Sequence, residues 1–443
     1  MKIYIHRLYK YFNIDIIFLI LGITITMPIL TISMSGRQIS VFYVIFILSM
    51  IILFFDFFNS KFNFKLNKNS ALFLVWLLLS LLSSLFGIMY FNSKVIWVNK
   101  IVSYIPKIIA YSLVLIFIAS SKNKKNIIKL FLKGFLIGII INIIWAFADG
   151  LIYYIFNFSI SNEIFSDYMK NIATTRKGVS IIKGGTIRVG GLNYDPAHLG
   201  GLIPIIIGYS IIKKKHILLF LSIGSLIFSQ STTALVSSLI IIIINLKFVN
   251  YKINIKSIVK STFILLGIMI LLISSLYMNL NFLGIFSNNY KAFINRVTKV
   301  YINQFTTNTR FLYHRYIPNS LYFNNFKVLT GTGFGTASYP YVYNDKIRSI
   351  MELRQFPYDP ESTYISYLFD TGILGFMIYI LVLIRLFYYY YKYKVNIILL
   401  LSIESIILSG LFYHYTITAY QVFILIIASI YISVSSEKSE KLT

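Results

Sequence analysis

The chain has no cysteine among its 443 residues. That excludes a disulfide framework, thiolate-ligated zinc and a thiol nucleophile. Acidic residues are scarce, 14 against 41 lysines and arginines, and all charged residues together make up only 12%. Ordinary soluble domains carry roughly twice that share. The five histidines are scattered, with no His-x-x-x-His pair and no carboxylate-rich repeat. No metal constellation is legible, so any phosphate chemistry falls to arginine and lysine.

What is present is apolar. Hydrophobic residues make up 57% of the chain and the mean hydropathy is +0.76. One soluble core cannot hide that much apolar surface, so a bilayer is the natural solvent. The net charge of +27 would suggest nucleic acid in a soluble protein. Here the lysines are spread over short loops between apolar runs, which points to membrane orientation and away from nucleic acid.

A membrane span needs about 20 apolar residues. The sequence predicts about twelve, over Asp15–Leu30, Val41–Phe58, Ala71–Phe91, Ile96–Ser120, Ile127–Phe147, Leu199–Ile212, Ile217–Phe228, Thr233–Leu246, Phe263–Leu280, Thr363–Tyr389, Val395–Leu411 and Phe412–Val434. The first run carries no small-residue cleavage site after it and reads as a retained span. Lysines and arginines gather at one end (Lys2, Arg7 and Lys10) and in alternate loops: Lys61 to Lys68, Lys122 to Lys129, Lys213 to Lys215, Lys247 to Lys260, and Arg385 to Lys394. By the positive-inside rule both termini are cytoplasmic. The expected architecture is all-α: a single integral membrane domain over 1–443, with outer loops at 157–198 and 281–362. Loops of that length are uncommon unless functional or disordered, and aromatic residues run through both. Tyr290, Phe293, Ile294, Val297, Val300 and Tyr301 recur at helical spacing. That predicts an amphipathic helix, either at the membrane surface or packed within the loop's own core.

Four clusters could carry chemistry. Arg188-Val-Gly-Gly191 leads to Asp195-Pro196-Ala-His198 and into a span. Asp195 and Pro196 suit a helix start, while Arg188 beside glycines and a helix N-terminus suits an anion. In the larger loop, Arg310 and His314 are four apart with Arg315 next to them. That spacing is either a solvated basic face or a fixed charge beside a proton carrier. Gly331-Thr-Gly333-Phe-Gly335 lacks the ending of a P-loop and reads as a tight turn. Glu361-Ser362 opens the tenth predicted span, with Asp370 about two turns inside it. Lys107, Asp149 and Glu404 fall within or at the ends of spans. There a mid-helix charge costs roughly 2.5–3.5 kcal/mol on insertion scales and normally faces a cavity or a partner.

These motifs, in this order, resemble the O-antigen polymerase and O-antigen ligase superfamily over most of residues 130–390. Arg188-x-x-Gly191…Asp195-Pro196 is similar to that family's Arg-x-x-Gly…Asp-Pro-Asn. Ser229-Gln-Ser-Thr-Thr-Ala234 is similar to its Ser-x-Ser-Arg-x-Ala, with Thr232 in the arginine's place. Arg310 precedes Gly331-x-Gly333-x-Gly335. Glu361-Ser362-x-Tyr364…Gly372-Ile-Leu-Gly375 resembles its His-Asn-x-x-Leu…Gly-Ile-x-Gly, with Glu361 where ligases carry histidine.

The resemblance implies a GT-C-like fold and a metal-independent, cofactor-free glycosyl transfer on the outer face of a bacterial inner membrane. The growing glycan would pass from undecaprenyl pyrophosphate to the next lipid-linked repeat unit, as in O-antigen, capsule or exopolysaccharide synthesis. A chain-length regulator and a flippase would be companions. Arg188 and Arg310, with Arg315 in reserve, would meet the pyrophosphate, and Gly191, Asp195, His198 and Lys107 would complete the binding set. Glu361, then His314, then His198 are candidates for the base. The alternatives are a ligase of the same superfamily and a lipid-linked-oligosaccharide flippase.

Overall fold

The computed structural model describes residues 14–34, 37–59, 66–91, 95–165, 180–183, 186–193, 196–245, 325–337, 362–393, 396–412 and 419–439. The predicted span Phe263–Leu280 and the amphipathic helix near 290–301 lie outside these residues. The described chain is helical apart from two short antiparallel hairpins, an all-α polytopic membrane protein. Among the described residues, five helices are long and apolar enough to cross a bilayer and six more are shorter but apolar. The long ones are α2 (Val41–Asn59), α3 (Lys68–Tyr90), α4 (Val95–Ser120), α5 (Lys124–Phe156) and α10 (Thr363–Tyr393). The chain forms two compact units, one of residues 1–25, 43–134 and 303–443, the other of 26–42 and 135–302.

The first unit holds α1 (Ile14–Thr24), α3, α4, α10, α11 (Ile397–Phe412) and α12 (Ala419–Ser439), with most of α2. Helix α1 ends sooner than the predicted span. Thr24 bonds back to the Ile20 carbonyl, and Pro28 cannot continue a helix. Helix α12 begins at Ala419, later than Phe412, so α11 and α12 are further apart in sequence than the hydropathy alone implied. The core is aromatic. Trp76 of α3 stacks on Phe73 at 5.3 Å and meets Tyr367 at 5.5 Å and Tyr379 at 5.1 Å. Such contacts add to the burial of large rings. They tie α3 to both halves of α10, which is broken between Tyr367 and Tyr379: Gly372 sits at φ 68°, ψ −177°, a region open essentially only to glycine.

The second unit holds the hairpin β1 (Thr31–Met34) and β2 (Arg37–Ser40), and the hairpin β3 (Ile181–Lys183) and β4 (Thr186–Arg188). It also holds α6 (Pro196–Ile212), α7 (His216–Ser229) and α8 (Thr232–Asn245). Thr31 pairs with Ser40, and Ile181 with Arg188. Helix α5 runs past Phe147, the predicted end, to Phe156, so Asp149 lies within the helix. Its carboxylate is buried and accepts from Ser159 Oγ, Ser161 N and Ser180 Oγ at 2.9, 3.2 and 2.7 Å. Three donors satisfy the buried carboxylate there. They also pin the start and the middle of the first predicted outer loop, at Ser159, Ser161 and Ser180, to one helix.

Candidate active site

Helix α6 starts at Pro196, the position where proline's missing N–H costs nothing, as the sequence predicts. The strand before it is clasped by the turn between α7 and α8. Val189 N donates to Phe228 O at 3.1 Å. Gln230 Nε2 donates to Ile187 O at 3.3 Å, and Arg188 Nε to Ser229 O at 3.3 Å. Two sequence motifs 41 residues apart thus form one structure. Gln230 makes the turn at φ 48°. Ser231 then caps α8, its Oγ accepting from Ala234 N at 3.3 Å.

Gly200, in the second turn of α6, lies directly against the Ser231 hydroxyl. The N-terminal ends of α6 and α8 therefore meet, and Arg188 is fixed beside them. Each helix end carries unsatisfied N–H groups and roughly half a positive charge. A guanidinium anchored at Nε next to two such ends has the charge and the donors that suit phosphate oxygens. His198 is partly buried in the first turn of α6.

Gly191 has a reason of its own. It adopts φ +63°, and a Cβ there would sit 2.9 Å from Asn142 Oδ1. The same oxygen accepts from Leu192 N at 2.8 Å and Asn193 Nδ2 at 3.0 Å, while Asn142 Nδ2 donates to Thr26 O at 2.6 Å. The close approach that glycine permits is made here to a buried amide. Asn142 holds the turn that carries the chain from Arg188 to α6. Sequence reasoning missed it, although a lone amide inside Ile139-Ile-Ile-Asn142-Ile-Ile was the available signal.

In the first unit the glycine run is a tight turn, as predicted. Gly331, Gly333 and Gly335 all have positive φ, and α9 (Asn325–Thr330) leads into them. Asp370, 1% exposed, accepts from Gly335 N and Thr336 N, each at 3.1 Å. Gly333 N donates to Ser83 Oγ at 3.1 Å, and Ser83 Oγ donates to the Asp370 carbonyl. The sequence placed Asp370 about two turns inside the tenth predicted span. The structure makes it the anchor of the glycine turn. A row at helical spacing, Ser80, Ser83, Ser84 and Gly87, lets that turn approach α3.

Ser362 opens α10 through its carbonyl, which accepts from Ser366 N at 3.1 Å. Its hydroxyl donates to Gly410 O at 3.2 Å. Lys107 lies 4.8 Å from the Tyr104 ring centre, a cation–π contact. Glu361, His314, Arg310, Arg315 and Asp195 lie outside the described residues.

Residues 217–380 match the family described as O-antigen ligase. This segment belongs to the O-antigen polymerase and ligase superfamily. It runs from α7 to Ile380 in α10, so it takes in the Ser229–Ala234 turn, the glycine run and the Gly372 break. The superfamily match leaves out Arg188 and the strand it stands on. Comparison with curated proteins gave no match. The apolar helices make the chain a membrane-embedded protein, and its segment 217–380 is of the O-antigen ligase type.

Proposed function

We propose that the chain is a polysaccharide polymerase acting on the non-cytoplasmic face of a bacterial inner membrane, with both termini cytoplasmic. It transfers the growing O-antigen, capsule or exopolysaccharide glycan from undecaprenyl pyrophosphate to a hydroxyl of the next lipid-linked repeat unit. The bond between the anomeric carbon and the pyrophosphate oxygen breaks, and a glycosidic bond to the acceptor oxygen forms. The acceptor's proton goes to a base, for which Glu361 is the first choice and His314 the second. The pyrophosphate leaves as an anion, and fixed positive charge where that anion develops is what the reaction needs.

The observation that carries the reading is Arg188, held at Nε by the Ser229 carbonyl beside the meeting N-termini of α6 and α8. Arg310 and Arg315, on the matched segment, are the proposed partners for the remaining phosphate charge. Glu361 at a position where ligases carry histidine favours the polymerase over the ligase.

Reconstitution with a lipid-linked repeat unit as the sole substrate tests this. A ladder of glycan products is expected. Product formation only after a separate acceptor is added would make the protein a ligase. Movement of the lipid-linked unit across the bilayer without new glycosidic bonds would make it a flippase. Arg188→Lys keeps the charge but not the planar fork, and turnover should fall about a hundredfold, the order of losing one transition-state donor.

A further inference from the structure

Helix α5 carries its own depth scale. Lys133 is exposed on it and Tyr153 lies 20 residues on, about 30 Å at roughly 1.5 Å per residue, the thickness of a bilayer core. Helix α7 runs alongside in parallel. Phe147 packs on Gly224 and Phe228 on Gly150, and Ser225 Oγ bonds to Ile143 O at 2.9 Å. With only 14 residues, α7 is about 21 Å long. Its first residue, His216, therefore falls near Ile140, seven residues or about 10 Å inward of Lys133. The short helix leaves a recess in that leaflet.

The recess is a groove of about 570 Å³ with Ile140, Ile144 and Leu221 on its walls and Lys214, Lys215 and His216 on its rim. The rim is built. Lys215 N donates to Ser210 O at 2.8 Å and Lys214 N to Ile211 O at 3.2 Å, the paired bonds that close a helix in the Schellman pattern. Lys214 stands at φ 55°, in the place where glycine is usual and lysine is strained. A residue that closes the helix less well than glycine would, and that carries a cation, marks the side chain as the reason for the choice.

An apolar trough open to acyl chains, with three basic side chains set below the leaflet surface, matches a phosphate joined to hydrocarbon. Lysine stems can lie along the apolar wall while their ammonium groups reach toward the headgroups. We propose that this groove is a binding site for an anionic phospholipid, its acyl chain between α5 and α7 and its phosphodiester at Lys214, Lys215 and His216. This site is independent of the glycan chemistry.

The test uses the full chain in phosphatidylcholine vesicles doped with phosphatidylglycerol bearing a photoreactive acyl chain, with crosslinks mapped by mass spectrometry. Crosslinks at Ile140, Ile144 or Leu221 are expected, well above those from equally doped photoreactive phosphatidylcholine. Lys215→Gln should lower them about fivefold, the order of one basic residue's attraction for an anionic leaflet. Lys214→Gly relieves the backbone, so it folds at least as well as the parent, and it should lower them by about the same factor. Equal labelling by both lipids would overturn the proposal. So would an equal loss from Lys122→Gln, Lys124→Gln and Lys125→Gln combined, which would reduce the effect to general surface charge. Competition by millimolar inorganic phosphate would overturn it as well, leaving a site for a free anion and none for a lipid.

Discussion

Asn142 is fully buried in a run of isoleucines, and its amide serves four partners around the turn that delivers Arg188 to α6. Replacing it by leucine keeps the volume and removes every bond. The Leu192 N–H, the Asn193 amide and the Thr26 carbonyl then stay buried without a partner from this residue. Each such group costs about 1–3 kcal/mol. Partial rearrangement puts the expected loss for Asn142→Leu at about 3 kcal/mol, seen as an earlier thermal unfolding of the detergent-solubilised protein. Unchanged unfolding would mean the turn is held by the strand clasp alone.

Asp370 offers a second case at this scale. Its two oxygens each take one N–H of the glycine turn, so Asp370→Asn turns one acceptor into a donor facing a donor. A loss of about 2 kcal/mol is expected by the same measurement, while Asp370→Glu retains the acceptors but not their reach. Recovery of parental stability in the asparagine variant would argue that the turn is held chiefly by Ser83 and Ser84.

At the scale of elements, the break in α10 and the glycine turn form a pair. A Cβ on Gly372 would run into the Leu329 carbonyl and the Gly331 nitrogen, and one on Gly331 into the Asp370 carbonyl. Gly372 also occupies a backbone region closed to alanine. Gly372→Ala therefore combines strain with a clash against backbone that cannot move aside. It should cost more than about 3 kcal/mol or prevent accumulation of folded protein. Ile373→Ala, next along the chain and exposed, should be nearly silent.

The elements themselves were largely legible. Long apolar runs report helices directly, and lysines with prolines mark their ends, as at Lys68 and Pro196. The glycine run was legible as a turn because little else tolerates positive φ. What it turns against was not legible, since Asp370 and Ser83 are distant in sequence and each has an ordinary local explanation. The meeting of α6 and α8 was hidden in the same way. The motifs at Arg188 and Ser229 stood out separately, and only the fold joins them. Glu404 remains a buried carboxylate at 2% exposure, and a charge there normally faces a partner or a path.

Over the whole molecule, the charge pattern makes a parity argument. With the apolar run Phe263–Leu280 crossing the bilayer, every lysine-rich short loop falls on one side, and the long segment holding Arg310, His314 and Glu361 falls on the other. Without that crossing everything after it inverts. Arg385, Lys392 and Lys394 would then sit opposite Lys122, Lys124 and Lys213, against the bias that orients short loops. The chain's lack of cysteine makes the test simple, because a single introduced cysteine has no background. A membrane-impermeant maleimide applied to intact spheroplasts should label Asn308→Cys and Ser93→Cys. It should reach Asn123→Cys and Lys394→Cys only after permeabilisation. Labelling of Lys394→Cys with protection of Asn308→Cys would invert the second half of the molecule. It would put Arg310 across the membrane from Arg188 and overturn the proposal that Arg310 meets the pyrophosphate. Outside labelling at both Asn308→Cys and Ser93→Cys leaves the two arginines on one face, as transfer from a single lipid-linked donor requires.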